Sequence, residues 1–368
     1  MKISCLQENL AKGLNTVSRA VAAKAPMPVL GNILLATEDG RLKLAATNLE
    51  TTVITYIGCS VQDEGSITVP ARLLKEFVIN LPAGTLSLST EHDILHVKSD
   101  KTKSKFNGIN ADEFPELPSI SFEKNYVEID PKVFALTVSL VAFAAGSDDT
   151  RPIFTGVYIN FDGENMTIAS TDGFRLSEKI LKTNGKAESF SAVVPAKTLL
   201  EISKIYSGAE QNVKMAVNTT GNMVFFHADD TFVTSIILDG QYPDYKRIVP
   251  KESVLNAIFS SQDFVEAVKL TNIFAKEGNN TIKVRFDPEG KIRINTLAEE
   301  SGEHESEIAA EIEGELMEIA FNSKYLLDYL NNVKTEKITL KTSGNVSPCL
   351  FQSEENTEFF HIIMPMQI

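Results

Sequence analysis

The feature that most constrains this chain is that it says the same thing three times. The stretch "VPARLLKEFVINLPAG" at residues 69–84 returns as "VPAKTLLEISKIYSGA" at 194–209 and, more faintly, as "FNSKYLLDYLNNVKTE" at 321–336, about 125 residues apart. A repeat of this length is a whole folding unit, so the fold must be built from three similar units. Each copy is preceded by another helical segment, at residues 6–24, 131–145 and 261–277, with apolar side chains at three- and four-residue spacing. Alternating runs broken by a Gly-containing turn follow each of those helices: "NILLATEDGRLKLAATN", "GVYINFDGENMTIASTD" and "IKVRFDPEGKIRINTLA". They read as β-hairpins. Pro70 and Pro195 are expected at the first helical position of their repeats, and Asn322–Ser323 opens the third. The fold class is therefore α+β, with three units of two helices and antiparallel sheet. The units are placed at residues 1–125, 126–253 and 254–368, joined by Pro-containing stretches.

At 368 residues with 43% hydrophobic content, the chain can bury more than one core. No apolar run approaches the roughly 18 residues of a membrane span, and the amphipathic start "MKISCLQENLAKGL" is unlike a signal peptide. A cytoplasmic protein is expected. Cys5, Cys59 and Cys349 are odd in number and widely spaced, which argues against a disulfide framework or a Cys-x-x-Cys metal site.

The net charge of −14 speaks on its face against nucleic acid. Its distribution speaks otherwise. The three thirds carry −1, −4 and −9, while the six helical segments together carry +5. Lys12, Arg19, Lys24, Arg72, Lys75, Lys197 and Lys204 sit on those helices, and nine glutamates with no Lys or Arg fill residues 299–318. Singly, such lysines are a solvated helix face; repeated on helices lying side by side, they form a sequence-blind field for phosphates. Six helices, each about 10 Å wide, cover an arc of about 60 Å, and two chains head to tail close a circle about 38 Å across. After the helix radii, about 28 Å remains, room for a duplex about 20 Å wide.

Catalytic signatures are missing. There is no G-x-x-x-x-G-K-[ST], G-x-G-x-x-G or G-x-S-x-G. "HDILH" places His92 and His96 in an alternating, strand-like context with no third ligand, and "SDDT" at residue 147 reads as a loop after a helix. No cofactor or metal is expected. The competing readings are a DNA-processing enzyme and a peptide-binding scaffold that never meets DNA.

Five strings in order, "PVLGNILL", "STDGFRLS", "DGQYPDYKRIVP", "FNSKYLLDYL" and the terminal "IIMPMQI", make the chain resemble the bacterial β sliding clamps over essentially its whole length. The resemblance implies a DNA clamp fold and a head-to-tail homodimer of six domains. It implies a processivity subunit that encircles duplex DNA and tethers the replicative DNA polymerase, repair polymerases and other clamp-motif proteins without catalysis. An ATP-driven clamp loader is the further implied partner. The implied pocket for partner peptides comprises Phe154, Thr171, Gly173, Arg175, Leu176, Pro243, Arg247, Ile248, Asn322, Tyr325, Val346, Ile362, Met364, Pro365 and Met366, with Arg175 and Asn322 expected to fix the peptide's polar groups. Phe174 and Gln367 depart from the family's usual His and basic residue. The implied dimer interface sets Lys103, Lys105 and Phe106 against Ile273, Phe274, Glu299, Glu300 and Glu303, with the apolar residues carrying most of the affinity.

Overall fold

A computed structural model describes the chain except for residues 23–26, 119–121, 123–124, 186, 219, 277–278, 297–302 and 368. Among the described residues there are six α-helices: α1 (Gln7–Val17), α2 (Ala71–Ile79), α3 (Pro131–Ala142), α4 (Ala196–Tyr206), α5 (Ser261–Ala275) and α6 (Ser323–Asn332). All three expected hairpins form, each antiparallel: Leu35 faces Leu44, Ile159 faces Ile168 and Val284 faces Ile294. In the first, Asp39 and Gly40 both take positive φ, 51° and 73°, as a tight two-residue turn requires.

Packing divides the chain into two compact units. The first comprises Met1–Phe134, Asn184–Ala187 and Glu201–Ile237, and holds a five-stranded and a nine-stranded sheet. In the larger sheet Thr51–Gly58 pairs with Thr231–Ile236, Val53 opposite Val233, so strands from the first and middle thirds share one sheet. The second unit comprises Ala135–Thr183, Glu188–Leu200 and Leu238–Ile368 and contains a twelve-stranded sheet. There Arg175–Lys182 pairs with Phe359–Ile363, Leu176 opposite Ile362. The middle third thus contributes to both units because its strands complete two different sheets.

Helix α1 buries Gln7, Leu10, Gly13, Leu14 and Val17, the spacing of a single helical face. A Cβ on Gly13 would stand 2.6 Å from Leu44 Cδ1, so glycine lets this helix lie close on the sheet. Glycine in a helix interior costs about 1 kcal/mol, against about 1.5–3 kcal/mol from each fully buried leucine beside it. Helix starts differ slightly from expectation. Pro70 and Pro195 end the preceding strands, with α2 and α4 beginning one residue later, since proline closes a ladder as readily as it opens a helix. α6 opens as the sequence implied, with Asn322 Oδ1 accepting from Lys324 N at 3.0 Å.

Candidate functional site

The second unit carries a tight turn at residues 171–175. Thr171 Oγ1 donates to Arg175 O (2.6 Å) and accepts from Gly173 N (3.0 Å). Asp172 Oδ1 accepts from the amides of Phe174 and Arg175 at 2.9 and 3.0 Å. Gly173 has φ +94°, a conformation that disfavours side chains. The amides of Gly173, Phe174 and Arg175 are thus bonded within the turn, which leaves Phe174 56% exposed.

Arg175 is anchored within the fold. Its side chain is only 10% exposed, its Nε donates to Asp172 Oδ2 at 3.0 Å, and its Nη1 donates to Asp328 Oδ2 on α6. The guanidinium lies 4.6 Å from the Tyr325 ring centroid. Two of its five N–H donors are engaged within the fold, which ties the turn to the helix that carries Tyr325. Asn322 is likewise committed at its carbonyl end to capping α6.

The last strand, Phe359–Ile363, runs beside this turn, and the chain beyond it is pinned twice. Met364 N donates to Phe174 O and Met366 N to Ala320 O, each at 2.8 Å. Pro365, which has no amide to satisfy, bridges the two anchors. Met364, Pro365 and Met366 are half-buried, and Gln367 is exposed. Beneath them Leu176 and Ile362 are fully buried in a cluster with Ala169, Tyr245 and Leu350. The structure therefore brings Thr171, Gly173, Arg175, Leu176, Tyr325, Ile362 and Met364 together through bonds and register. Pro243 lies in the segment that supplies Tyr242 and Tyr245 to the same cluster. Ile248, Arg247 and Val346 are exposed, Val346 to 67%, and Arg247 pairs with Asp244 at 2.7 Å.

Residues not read as pocket members from the sequence also stand here. The Arg151 guanidinium sits 5.0 Å from the Phe154 ring centroid, with Nη1 3.7 Å from where a Gly173 Cβ would lie. Asp172 and Asp328 hold Arg175, and the Tyr245 hydroxyl donates to Glu178 at 2.6 Å. The "SDDT" motif is a turn cap: Asp148 Oδ1 accepts from the amide and hydroxyl of Thr150 at 2.9 and 2.8 Å. His96 lies in a strand and His92 in its preceding turn. No group of metal-ligating side chains occurs among the described residues, and none of their helices is long and apolar enough to cross a membrane.

Of the helix cations, Lys12, Lys197 and Lys204 are exposed on α1 and α4, and Lys75 is half-buried on α2. Three are paired: Arg72 with Glu76 at 2.9 Å, and both Arg19 and Lys204 with Glu201. Lys24 lies outside the described residues. At the expected interface, Lys103 and Lys105 are exposed on the edge strand Lys103–Asn107 of the five-stranded sheet. Phe106 is not presented on the surface. It is buried in its own unit, its ring 5.3 Å from Phe77, because strand alternation turns it away from the two lysines. Ile273 is 62% exposed on α5, and sequence reading missed Leu270, one turn earlier and 51% exposed. Phe274 stacks on His304 at 5.4 Å. Glu303 is exposed, and Glu299 and Glu300 lie outside the described residues.

Domain profiles described as the N-terminal, central and C-terminal domains of the DNA polymerase III beta subunit match residues 1–118, 128–244 and 246–367. The beta sliding clamp of Synechococcus elongatus is 31% identical over 376 residues, spanning all of both chains. The chain belongs to the beta sliding clamp family. A solved sliding clamp from Bacillus subtilis matches at a TM-score of 0.95 and 27% identity, covering 100% of this chain and 99% of that one. Another, from Pseudomonas aeruginosa and bound to griselimycin, matches at 0.93 and 26%, with both chains fully covered. Sliding clamps work with DNA and DNA polymerase III as non-catalytic processivity subunits, and this chain is one of them, not a DNA-processing enzyme.

Proposed function

We propose that two copies of this chain close head to tail into a ring of six similar domains that encircles duplex DNA. The observation that carries closure is a pair of unsatisfied sheet edges of opposite charge. Among the described residues, Lys103–Asn107 has a single ladder neighbour, Ile94–Lys98, and presents Lys103 and Lys105. Among the described residues, 305–309 of the strand Glu305–Glu313 pair only with Lys291–Asn295 and carry Glu305 and Glu307, the latter paired with Lys291 and Arg293, while Glu311 and Glu313 lie farther along, where the strand pairs with Leu255–Ser260. Open edges invite another strand, and a head-to-tail contact uses two different patches, which returns to its start when the rotation closes. A cleft of about 360 Å³ beside that strand, lined by Asp263, Glu266, Leu270, Glu307 and Ile308, suits a basic edge backed by apolar side chains.

The helix cations then face DNA without reading bases, since phosphate contacts carry no sequence information. The site around turn 171–175 takes short apolar peptides of the replicative polymerase, of repair polymerases and of the ATP-driven loader that opens the ring. Met364 and Met366 supply an adaptable, polarizable surface for several clients.

Solution mass and DNA topology test the ring together. Sedimentation is expected to give a two-chain mass, and protein loaded on nicked circular DNA is expected to leave when the circle is cut. A monomer, or retention on linear DNA equal to that on circles, overturns the reading. For the pocket, deletion of Met364 to Ile368 is expected to abolish binding of a Gln/Leu/Phe-rich peptide and leave the dimer intact; unchanged peptide affinity overturns it.

A further inference from the structure

We propose that Glu201 governs how weakly the ring's interior holds DNA, by keeping two of its cations in internal pairs. The proposal rests on the reading that the helices face the duplex. Glu201 is the only described carboxylate that grips two of the cations expected there: its Oε2 accepts from Arg19 Nη1 at 2.5 Å and its Oε1 from Lys204 Nζ at 2.7 Å. Arg19 lies in the short 3-10 turn after α1, 182 residues away in sequence, while Lys204 is one turn along α4. Partial burial raises the Glu201 carboxyl's pKa, but bonds from Lys204 and Arg19 outweigh it and hold the group below its usual range, so it stays ionised at neutral pH. Lys12 and Lys75, by contrast, form no salt bridge with a described carboxylate.

The physical consequence follows from counterion release. A cation adds to DNA affinity, and to its salt dependence, in proportion to the phosphate charge it newly neutralises. Arg19 and Lys204 share one carboxylate, which offsets about half of their combined charge, so a phosphate approaching either must compete with Glu201. Exposed ion pairs are weak, which makes this competition a tuning device and not a lock: contacts with passing phosphates form and break easily, as sliding requires. Glu201 adds its own repulsion toward the backbone.

The test uses full-length protein and a short blunt linear duplex, which cannot retain a ring topologically, over a series of salt concentrations. Glu201→Gln keeps the shape and hydrogen-bonding capacity and removes the charge. It is expected to bind about 3- to 10-fold tighter at low salt, with the slope of log K against log salt steeper by about one. Adding Arg19→Ala and Lys204→Ala to that variant is expected to remove most of the gain, bringing both values close to those of the Arg19→Ala/Lys204→Ala protein, the remaining difference being Glu201's own repulsion. A merely structural bridge between Arg19 and α4 would not move the salt slope. If Glu201→Gln leaves affinity and slope unchanged while Lys12→Ala/Lys75→Ala weakens binding, Glu201 has no such role although the helices do meet DNA. If none of these substitutions changes binding, the placement of the helices itself is wrong and the proposal falls with it.

Discussion

Arg175 on the turn at residues 171–175 donates to Asp328 on α6, joining the rim of the candidate pocket to the helix that presents Tyr325. Because Arg175 is almost fully covered and Asp328 is half-exposed, removing the acid leaves a poorly solvated cation with one carboxylate in place of two. Asp328→Ala is expected to lower stability by about 1–2 kcal/mol and to weaken peptide binding, because Tyr325 and the turn lose their common anchor. Asp244→Ala breaks the exposed Arg247 pair and is expected to cost under about 0.5 kcal/mol. Urea unfolding and peptide titration of the two variants measure the difference; equal losses would show that Arg175 is not held in the way described.

His361, opposite Ser177 in the terminal strand pair, is fully buried, with Nδ1 2.8 Å from Ser177 Oγ and its ring stacked 5.1 Å from Tyr329. Burial first, and the nearby positive charge of Arg175 second, push its pKa well below the ordinary value, so it stays neutral in the folded chain. The unfolded chain takes up that proton near pH 6.5. Below this point the unfolded state binds more protons, and stability falls as pH drops, by about 1.4 kcal/mol per pH unit for this group. Carboxylates with lowered pKa, such as Glu307 and Glu358, lose their contribution only as pH falls through the lower carboxylate range. Between pH 7 and 5, His361→Gln is expected to flatten the decline in hydrogen-exchange protection of Phe359–Ile363. A decline as steep as in the parent would assign the pH response to another group, His227 being the other histidine whose pKa burial lowers.

The repeat, the hairpins and the helix faces were legible because each depends on neighbours within a few residues: periodicity, turn glycines, capping side chains. Pairings that decide the site were not. Glu201 meets Arg19 across 182 residues and Arg175 meets Asp328 across 153, and nothing in local pattern couples them. Phe106 shows the converse. Its neighbours Lys103 and Lys105 suggested an exposed edge, but the two-residue period that exposes them turns Phe106 inward onto Phe77.

Residues 47–51 in the first unit repeat the bonding of residues 171–175. Thr47 Oγ1 donates to Thr51 O and accepts from Leu49 N, while Asn48 Oδ1 accepts from Glu50 N and Thr51 N. Ile236 N donates to Glu50 O at 2.9 Å, as Met364 N does to Phe174 O. Where the later turn has Gly173, this one has Leu49 at φ +74°, a conformation costly for a branched side chain. Leu49→Asn is expected to stabilise the protein by about 0.5–1 kcal/mol, because Asn tolerates the left-handed region. Gly173→Ala is expected to destabilise it by about 1 kcal/mol or more through the same strain. Chemical denaturation of both variants checks the pair, and a destabilised Leu49→Asn would mean that the Leu49 side chain does more than bear strain.

At the proposed ring contact, charge and apolar area have separable effects. Lys103 and Lys105 lie on an exposed edge, so reversing them alters the long-range field that orients two approaching copies and leaves the packed centre intact. Ile273 and Leu270 lie one turn apart on α5 as exposed apolar side chains, which a partner would cover. Lys103→Glu/Lys105→Glu is therefore expected to slow association about 10-fold at low salt, an effect that fades at high salt, with little change in dissociation. Ile273→Asp/Leu270→Asp is expected to speed dissociation enough to give monomers at micromolar concentration, since burying an unpaired carboxylate in an apolar contact is strongly unfavourable. Subunit-exchange kinetics distinguish the two. If charge reversal acts on dissociation, or the α5 variant stays dimeric, the two copies meet through other surfaces.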